Sequence, residues 1–125
     1  MVDDEKDIVS LFRDALSQIE DCTVFAFTDP QTALKHFIAN KQHYNLILTD
    51  FRMPEINGIE LIIKVNEIKP SIKAILMSAF ELRHEESFQR CMKKNIINRF
   101  LQKPIALGDL IDEVKNQIDQ KNNVA

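Results

Sequence analysis

Three acidic residues, a hydroxyl and an ammonium group stand directly after short apolar runs, and these side chains could do chemistry together. Asp3 and Asp4 follow the first apolar residues, Asp50 follows a second run, Ser78 a third and Lys103 a fourth. Because parallel strands end at a common edge of a sheet, this spacing predicts that the five groups converge. Three carboxylates beside one lysine are costly unless a cation neutralises them, and Mg²⁺, which binds carboxylate oxygens, fits best.

Glycine is scarce, and this excludes one large class of phosphate chemistry. The chain of 125 residues has only Gly58 and Gly108, whereas average usage is roughly 7%. Loops that cradle phosphates with backbone N–H groups need closely spaced glycines. Neither a dinucleotide fingerprint nor a Walker-type loop is present, so side chains must carry any phosphate chemistry.

Composition and charge exclude other partners. The net charge is −3 and no basic run stands out, which disfavours nucleic-acid binding. The longest apolar run is far shorter than the roughly 18 residues of a membrane span. Cys22 and Cys91 show no paired spacing and are interpreted as reduced thiols of a cytoplasmic protein. We expect a single domain over residues 1–125, with no output domain in this sequence.

Hydrophobic periodicity predicts alternating helices and strands. Helices are predicted at about 6–19, from Pro30, after Gly58, within 81–95 and over 107–118, and strands at 23–28, 45–49, 72–77 and 99–101, besides the first residues of the chain. This rhythm is typical of an open parallel α/β sheet with helices on both faces. In such sheets the site lies beyond the carboxyl ends of the strands, where strand order reverses.

The sequence resembles the receiver domains of two-component response regulators over essentially its whole length. The motifs that carry the resemblance are Val2-Asp-Asp-Glu5, Thr49-Asp-Phe-Arg-Met-Pro54, Asn57-Gly58, Ser78-Ala79 and Lys103-Pro104. One Asp at a strand end is more often a turn former than a catalyst, but these motifs are specific in combination. The resemblance implies a flavodoxin-like, doubly wound sheet of five parallel strands in the order 2-1-3-4-5, with five helices in three layers.

The resemblance also implies which acidic residues act. Asp50 corresponds to the phosphoacceptor. Asp4 and Asp50, with the main-chain carbonyl of Arg52, would bind Mg²⁺ directly, and Asp3 would act on the ion indirectly. Mg²⁺ is the cofactor that this set of oxygen ligands suits.

The remaining site residues surround the phosphoryl group or its loops. The Lys103 ammonium is suited to pairing with one phosphoryl oxygen, and the Ser78 hydroxyl can hydrogen-bond another. The resemblance implies that Phe100 is a switch residue that turns inward when Ser78 is pulled toward the phosphoryl group, and that the bond before Pro104 is cis. Gly58 is interpreted as a turn residue that needs an unusual backbone angle.

The implied function is a phosphorylation switch. A sensor histidine kinase or a histidine phosphotransfer protein would donate the phosphoryl group, and the surface of the fourth helix, fifth strand and fifth helix would then alter an effector protein or form a self-dimer. The domain would modify only itself and would not be an enzyme. The alternative is a receiver-like interaction module that works without phosphorylation. A phosphohydrolase needs a second Asp two residues after the nucleophile, where this chain has Arg52.

The start of the chain departs from the family pattern. Only Met1 and Val2 precede the acidic pair, whereas strands average about 5–6 residues. Either upstream residues of the native protein are missing from this sequence, or the first strand is stunted. We expect weaker Mg²⁺ binding than in a version extended by several apolar residues.

Overall fold

The computed structural model describes residues 1–122, which form helices on both sides of a parallel sheet. The helices of this part of the chain are α1 (Lys6–Leu16), α2 (Pro30–Asn40), α3 (Gly58–Ile68), α4 (Glu86–Lys93) and α5 (Leu107–Asn122), with one 3₁₀ turn at Lys41–His43, and the strands are β1 (Leu46–Asp50), β2 (Lys73–Ser78) and β3 (Arg99–Gln102). Among the described residues no helix is long and apolar enough to cross a membrane.

The order of the sheet is the doubly wound order that the resemblance implies. β1 pairs with β2 and β2 pairs with β3, both in parallel. On the other side of β1, Val2 forms a parallel bridge to Thr49 and a second parallel bridge to Phe27. The segment at 23–28 therefore lies outermost, followed by the first residues of the chain, β1, β2 and β3. The flavodoxin-like fold is confirmed.

Two of the five expected strands are reduced to single bridges, so the prediction of a full strand over 23–28 was wrong. Phe27 N–H donates to the Met1 carbonyl over 2.9 Å, and Asp3 N–H donates to the Phe27 carbonyl over 3.1 Å. Before Asp3, the sequence offers only Met1 and Val2 as pairing partners. The ladder is short on this side because the first strand is short.

Successive side chains of the strands point to opposite faces of the sheet and form two separate apolar clusters, one on each face. Residues of one face pack with α2, α3 and α4, and the alternate residues pack with α1 and α5. The first set includes Ile47, Ala74 and Leu76, and the second includes Leu48, Ile75 and Met77. Because successive side chains of a strand point to opposite faces, these runs are apolar throughout, and the protein has three layers.

Capping residues begin two of the helices where the sequence predicts. The Asp29 carboxylate accepts the backbone N–H groups of Gln31 and Thr32 before Pro30 opens α2. Asn57 and Glu60 form a reciprocal capping box at the start of α3. Both arrangements satisfy N–H groups that have no partner within the helix. α1 ends at Leu16, three residues before its predicted end.

Candidate functional site

The strand ends bring the predicted site residues to one edge of the sheet. Asp50 is the last residue of β1, Ser78 is the last residue of β2, and Lys103 follows β3. Lys103 N–H donates to the Ser78 carbonyl over 2.8 Å, and Asp50 N–H donates to the Val2 carbonyl over 2.9 Å. Since Asp3 follows Val2, neighbouring strands hold all these side chains in register.

Lys103 bridges two buried carboxylates. Its Nζ lies 2.9 Å from Asp3 Oδ2 and 3.0 Å from Asp50 Oδ1. Burial lowers the pKa of Lys103, but the hydrogen bonds to Asp3 and Asp50 and the negative charges of both carboxylates together outweigh burial, so the net pKa is raised. The ammonium is therefore kept charged beside the proposed nucleophile.

The pKa of Asp50 is raised in spite of the Lys103 bridge. Burial raises the pKa of Asp50, the hydrogen bond from Lys103 opposes that rise, and the negative charge of Asp3 adds to it, leaving a raised pKa. One lysine thus compensates the acidic group only in part. A further cation at this position would stabilise the ionised form of Asp50.

The acidic residues fit a hard divalent cation. Carboxylate oxygens of Asp3, Asp4 and Asp50 lie within 4.8 Å of one another. Both oxygens of Asp3 are engaged, because Oδ1 accepts the Glu5 N–H over 3.0 Å and Oδ2 contacts Lys103. Asp4 is exposed, so Asp4 and Asp50 are the carboxylates placed to contact Mg²⁺ directly. Asp3, whose oxygens contact Glu5 and Lys103, can act on the ion only indirectly.

Ser78 lies ready to donate a hydrogen bond. Its side chain is buried, and its Oγ accepts the Phe80 N–H over 2.9 Å. Since that bond uses an acceptor position of the hydroxyl, the proton remains to be donated. Phe100 does not line the pocket: it is half-buried and packs edge-on against Phe88 of α4, with ring centroids 5.3 Å apart.

Gly58 has a packing role, so its interpretation as a turn residue with an unusual backbone angle was wrong. In the loop before Gly58, Glu55 has a positive φ of 71°. Neither Gly58 nor Gly108 has a positive φ. A Cβ on Gly58 would lie 2.2 Å from the Asp50 carbonyl oxygen and 2.8 Å from Leu76 Cδ1. Only glycine lets α3 begin this close to the backbone of Asp50. The predicted cis bond between Lys103 and Pro104 is present.

The pocket over Asp50 contains the side chain of Phe80, which the sequence does not identify as a site residue. It encloses about 230 Å³ and is lined by Asp4, Glu5, Asp50, Arg52, Ser78, Ala79, Phe80 and Lys103. Arg52 is a predicted site residue through its main-chain carbonyl, whereas no motif in the sequence assigns a role to Phe80. A phenylalanine in a polar stretch directly after Ser78-Ala79 is the signal that could have identified it.

Fold and site together define a class: a flavodoxin-like α/β protein with an acidic, lysine-bridged pocket where strand order reverses. The chain matches the response regulator receiver domain over residues 1–115, and it belongs to that family.

Curated relatives agree with this assignment. The chain is 32% identical over 81 residues to the response regulator receiver protein CpdR of Brucella abortus, and the alignment covers 62% of each chain. It is 29% identical over 87 residues to sporulation initiation phosphotransferase F of Bacillus subtilis, covering 69% of this chain and 67% of that protein. It is 32% identical over 95 residues to the transcriptional regulatory protein YesN of Bacillus subtilis, covering 70% of this chain. The chain spans 25% of the length of YesN and 62% of that of CpdR.

Solved structures show the same fold. A CheY-like receiver domain from Methanospirillum hungatei JF-1 has a TM-score of 0.83 at 24% identity, covering 97% of this chain and 92% of that one. A receiver domain from Clostridium thermocellum has a TM-score of 0.81 at 24% identity, covering 97% and 93%.

Proposed function

We propose that the chain is a phosphorylation switch, in which a sensor histidine kinase or a histidine phosphotransfer protein transfers a phosphoryl group to Asp50 in a Mg²⁺-dependent step. The observation that carries this proposal is the geometry at Asp50. Its carboxylate lies 3.0 Å from the Lys103 ammonium and within 4.8 Å of the Asp3 and Asp4 carboxylates. One lysine and a cluster of acidic oxygens suit a cation-assisted transfer onto a carboxylate.

The transfer replaces one bond to phosphorus with another. An oxygen of the Asp50 carboxylate forms a bond to phosphorus while the phosphorus–nitrogen bond of a donor phosphohistidine breaks. The bonding electrons leave with the imidazole nitrogen, which takes up a proton. The product is an aspartyl phosphate at the end of β1.

The residues around Asp50 stabilise the charge of the transferred group. Lys103 already contacts Asp50 and is placed to pair with a phosphoryl oxygen, and Ser78 has a hydroxyl proton to donate to another. When bound, Mg²⁺ would neutralise further negative charge on the phosphoryl oxygens. Asp4, Asp50 and the Arg52 carbonyl would hold it, with Asp3 as their support.

The output of the switch is the surface of α4, β3 and α5. Phe100 of β3 packs edge-on against Phe88 of α4, and Ser78 pairs in register with Gln102 at the end of β3. A displacement of Ser78 toward the phosphoryl group would therefore also displace β3 next to Phe100. This surface would bind an effector protein or a second copy of the chain. Hydrolysis of the aspartyl phosphate would reset the switch, so the domain acts on itself rather than turning over a metabolite in the cytoplasm.

Incubation with acetyl phosphate and Mg²⁺ tests the proposal. We expect one phosphoryl adduct per chain by intact-mass spectrometry, lost in Asp50→Asn and greatly reduced when Mg²⁺ is chelated. Asp14→Asn, on the exposed side of α1, is the matched control and should be labelled like the wild type. Full labelling of Asp50→Asn would refute the assignment.

A second candidate is an interaction module that does not need phosphorylation. The pairing of Val2 through two isolated bridges favours it, because Asp3 and Asp4 follow a short strand. A folded wild type that takes up no phosphoryl group but still binds its partner would support this candidate.

A further inference from the structure

Thr49 places a buried hydroxyl group inside the sheet, beneath the site. It precedes Asp50 in β1 and is 0% exposed, and a buried hydroxyl needs a hydrogen-bond partner. Thr49 Oγ1 donates to the Asp50 carbonyl over 3.0 Å and lies 3.9 Å from Met53 Sδ. Because a hydroxyl has one proton and a thioether sulfur is a weak acceptor, the carbonyl is its main partner.

The hydrogen bond from Thr49 fixes one end of the peptide group between Asp50 and Phe51. The other end of this group is fixed as well, because the Phe51 N–H donates to the Met77 carbonyl over 2.8 Å. Since a peptide group is planar, two bonds at its opposite ends determine its orientation. The direction in which the chain leaves β1 therefore depends on the Thr49 hydroxyl.

The next two carbonyl groups of the chain differ in their partners. The Phe51 carbonyl accepts the Gly58 N–H over 2.7 Å. The Arg52 carbonyl, in contrast, accepts no backbone hydrogen bond from the residues that the structure describes. Because the carbonyls of Asp50 and Phe51 are both bonded within the protein, Arg52 has the first carbonyl after β1 that can bind another group. Arg52 also lines the pocket over Asp50.

We propose that Thr49 is a positioning residue for the Mg²⁺ site, whose hydroxyl holds the Asp50 carbonyl and thereby orders the Arg52 carbonyl for the ion. This inference rests on the Mg²⁺ site of the proposed function. Without the hydroxyl, the peptide group after Asp50 would be free to rotate. The Arg52 carbonyl would then have to be ordered when the ion binds, and this ordering would weaken the affinity for Mg²⁺.

Mg²⁺ titrations of two Thr49 variants test the inference. Thr49→Val has nearly the same shape but no hydroxyl, whereas Thr49→Ser keeps the hydroxyl and loses a methyl group. Mg²⁺ is added to each unphosphorylated protein, and binding is followed by the shifts of backbone amide signals in NMR spectra. We expect the dissociation constant of Thr49→Val to rise about three- to tenfold, the effect of one hydrogen bond. That of Thr49→Ser should stay near the wild-type value.

Urea unfolding separates positioning from a loss of stability. Thr49→Ser leaves a small cavity in a packed layer and should unfold at a lower urea concentration than the wild type, whereas Thr49→Val keeps the volume. If Thr49 only stabilised the fold, Mg²⁺ affinity would follow stability, and Thr49→Ser would bind the ion more weakly than Thr49→Val. We expect the opposite order of affinities.

Thr32→Val is the matched control. The Thr32 hydroxyl donates to Asp29 Oδ2 over 2.7 Å at the start of α2, so this variant also removes one threonine hydrogen bond. Neither of these residues lines the pocket over Asp50, and the Mg²⁺ affinity of Thr32→Val should equal that of the wild type. In the metal-free protein, Thr49→Val should speed amide hydrogen exchange at Phe51, and Thr32→Val should not.

The outcomes distinguish this inference from the proposed function. Equal Mg²⁺ dissociation constants in the wild type and a folded Thr49→Val overturn the inference alone, as does weaker binding by Thr49→Ser than by Thr49→Val. Should Thr49→Val not fold, Thr49→Ala, which also lacks the hydroxyl, takes its place in each comparison. A wild type that binds Mg²⁺ but takes up no phosphoryl group overturns the proposed function, while the titrations still decide the role of Thr49. A wild type that binds no Mg²⁺ overturns both.

Discussion

The two sides of the sheet differ in how completely their strands are paired. β1, β2 and β3 form continuous parallel ladders, and most of their apolar residues are buried. On the other side of β1, the pairing consists of the two bridges of Val2. Below these bridges lies a cavity of about 470 Å³, which is lined by residues that include Met1, Val24 and Leu46.

The site draws residues from both sides. Asp50, Ser78 and Lys103 belong to the completely paired side, whereas Asp3 and Asp4 follow the short first strand. Asp50 and Lys103 are therefore held by extensive pairing, while the Asp3 and Asp4 carboxylates rely on the two bridges of Val2. We expect changes on the paired side to affect stability, and changes on the short side to affect metal binding more than stability.

Truncating one leucine in the packed core and one that borders the cavity beside the first residues of the chain gives the largest expected contrast. Leu76 of β2 is 0% exposed, and Leu76→Ala should lower the free energy of unfolding by about 2–5 kcal/mol because it leaves a cavity in a packed core. Leu46 already borders open space, so Leu46→Ala should cost only about 1 kcal/mol. Urea unfolding of both variants measures the difference, and equal losses would contradict the contrast.

Gly58→Ala should damage stability and the site together. The new Cβ would meet the Asp50 carbonyl oxygen at 2.2 Å, so the backbone must shift, at a cost of about 1–3 kcal/mol. Gly108→Ala is the matched control. Its Cβ meets nothing within 4 Å, and it should stabilise the protein by about 0.4–1 kcal/mol. Denaturation midpoints and acetyl phosphate labelling of the two variants test this comparison. We expect only Gly58→Ala to lose both stability and labelling.

Asp50→Asn should stabilise the metal-free protein at neutral pH, by less than Gly58→Ala destabilises it. Burial raises the pKa of Asp50 in the folded state, so the ionised carboxylate lowers stability above that pKa. The wild type regains this stability as pH falls toward the ordinary carboxyl range of about 4. The advantage of the variant should therefore shrink on acidification, as followed by thermal melts across pH. A less stable variant at pH 7 would show that the Lys103 contact outweighs burial.

An engineered N-terminal extension tests the side of the sheet that is paired only through the bridges of Val2. Four apolar residues added before Met1 should enter the open volume beside Leu46, raise Mg²⁺ affinity a few-fold and raise the melting temperature. An extension of glycine and serine is the control. Equal Mg²⁺ affinity in a titration of the original and apolar-extended chains would contradict the idea that pairing of the first strand supports the acidic pair.

The gain in stability from that extension should depend on pH. Burial lowers the pKa of the Met1 amino group from 8.0 to about 5. As pH falls from 8 toward 5, the unfolded chain takes up a proton that the folded chain does not, and the folded state loses stability. A peptide N–H in place of the amine does not titrate. The melting-temperature gain should thus be larger near pH 6 than near pH 9.

Local signals in the sequence determined most elements and the members of the candidate site. Apolar runs at 45–49 and 72–77 predicted β1 and β2 within one residue, because strands buried on both faces must be apolar throughout. Asp29 marked the start of α2 through hydrogen bonds that span only a few residues. The motifs around Asp50, Ser78 and Lys103 identified the family, and strand ends in a parallel sheet predicted their convergence.

Long-range contacts decided what the sequence could not. The strand predicted at 23–28 became a single bridge at Phe27, because pairing depends on a partner far away in the chain. The role of Gly58 depended on the approach of α3 to the Asp50 carbonyl, and the Lys103 bridge depended on two carboxylates from different strands. Likewise, the Arg52 guanidinium lies 4.1 Å from the centroid of the Phe80 ring, and neither residue carries a local pattern that predicts this contact between two loops. The sequence alone thus identified the members of the candidate site, and the tertiary structure decided how they are paired, because pairing follows from distances that no local pattern contains.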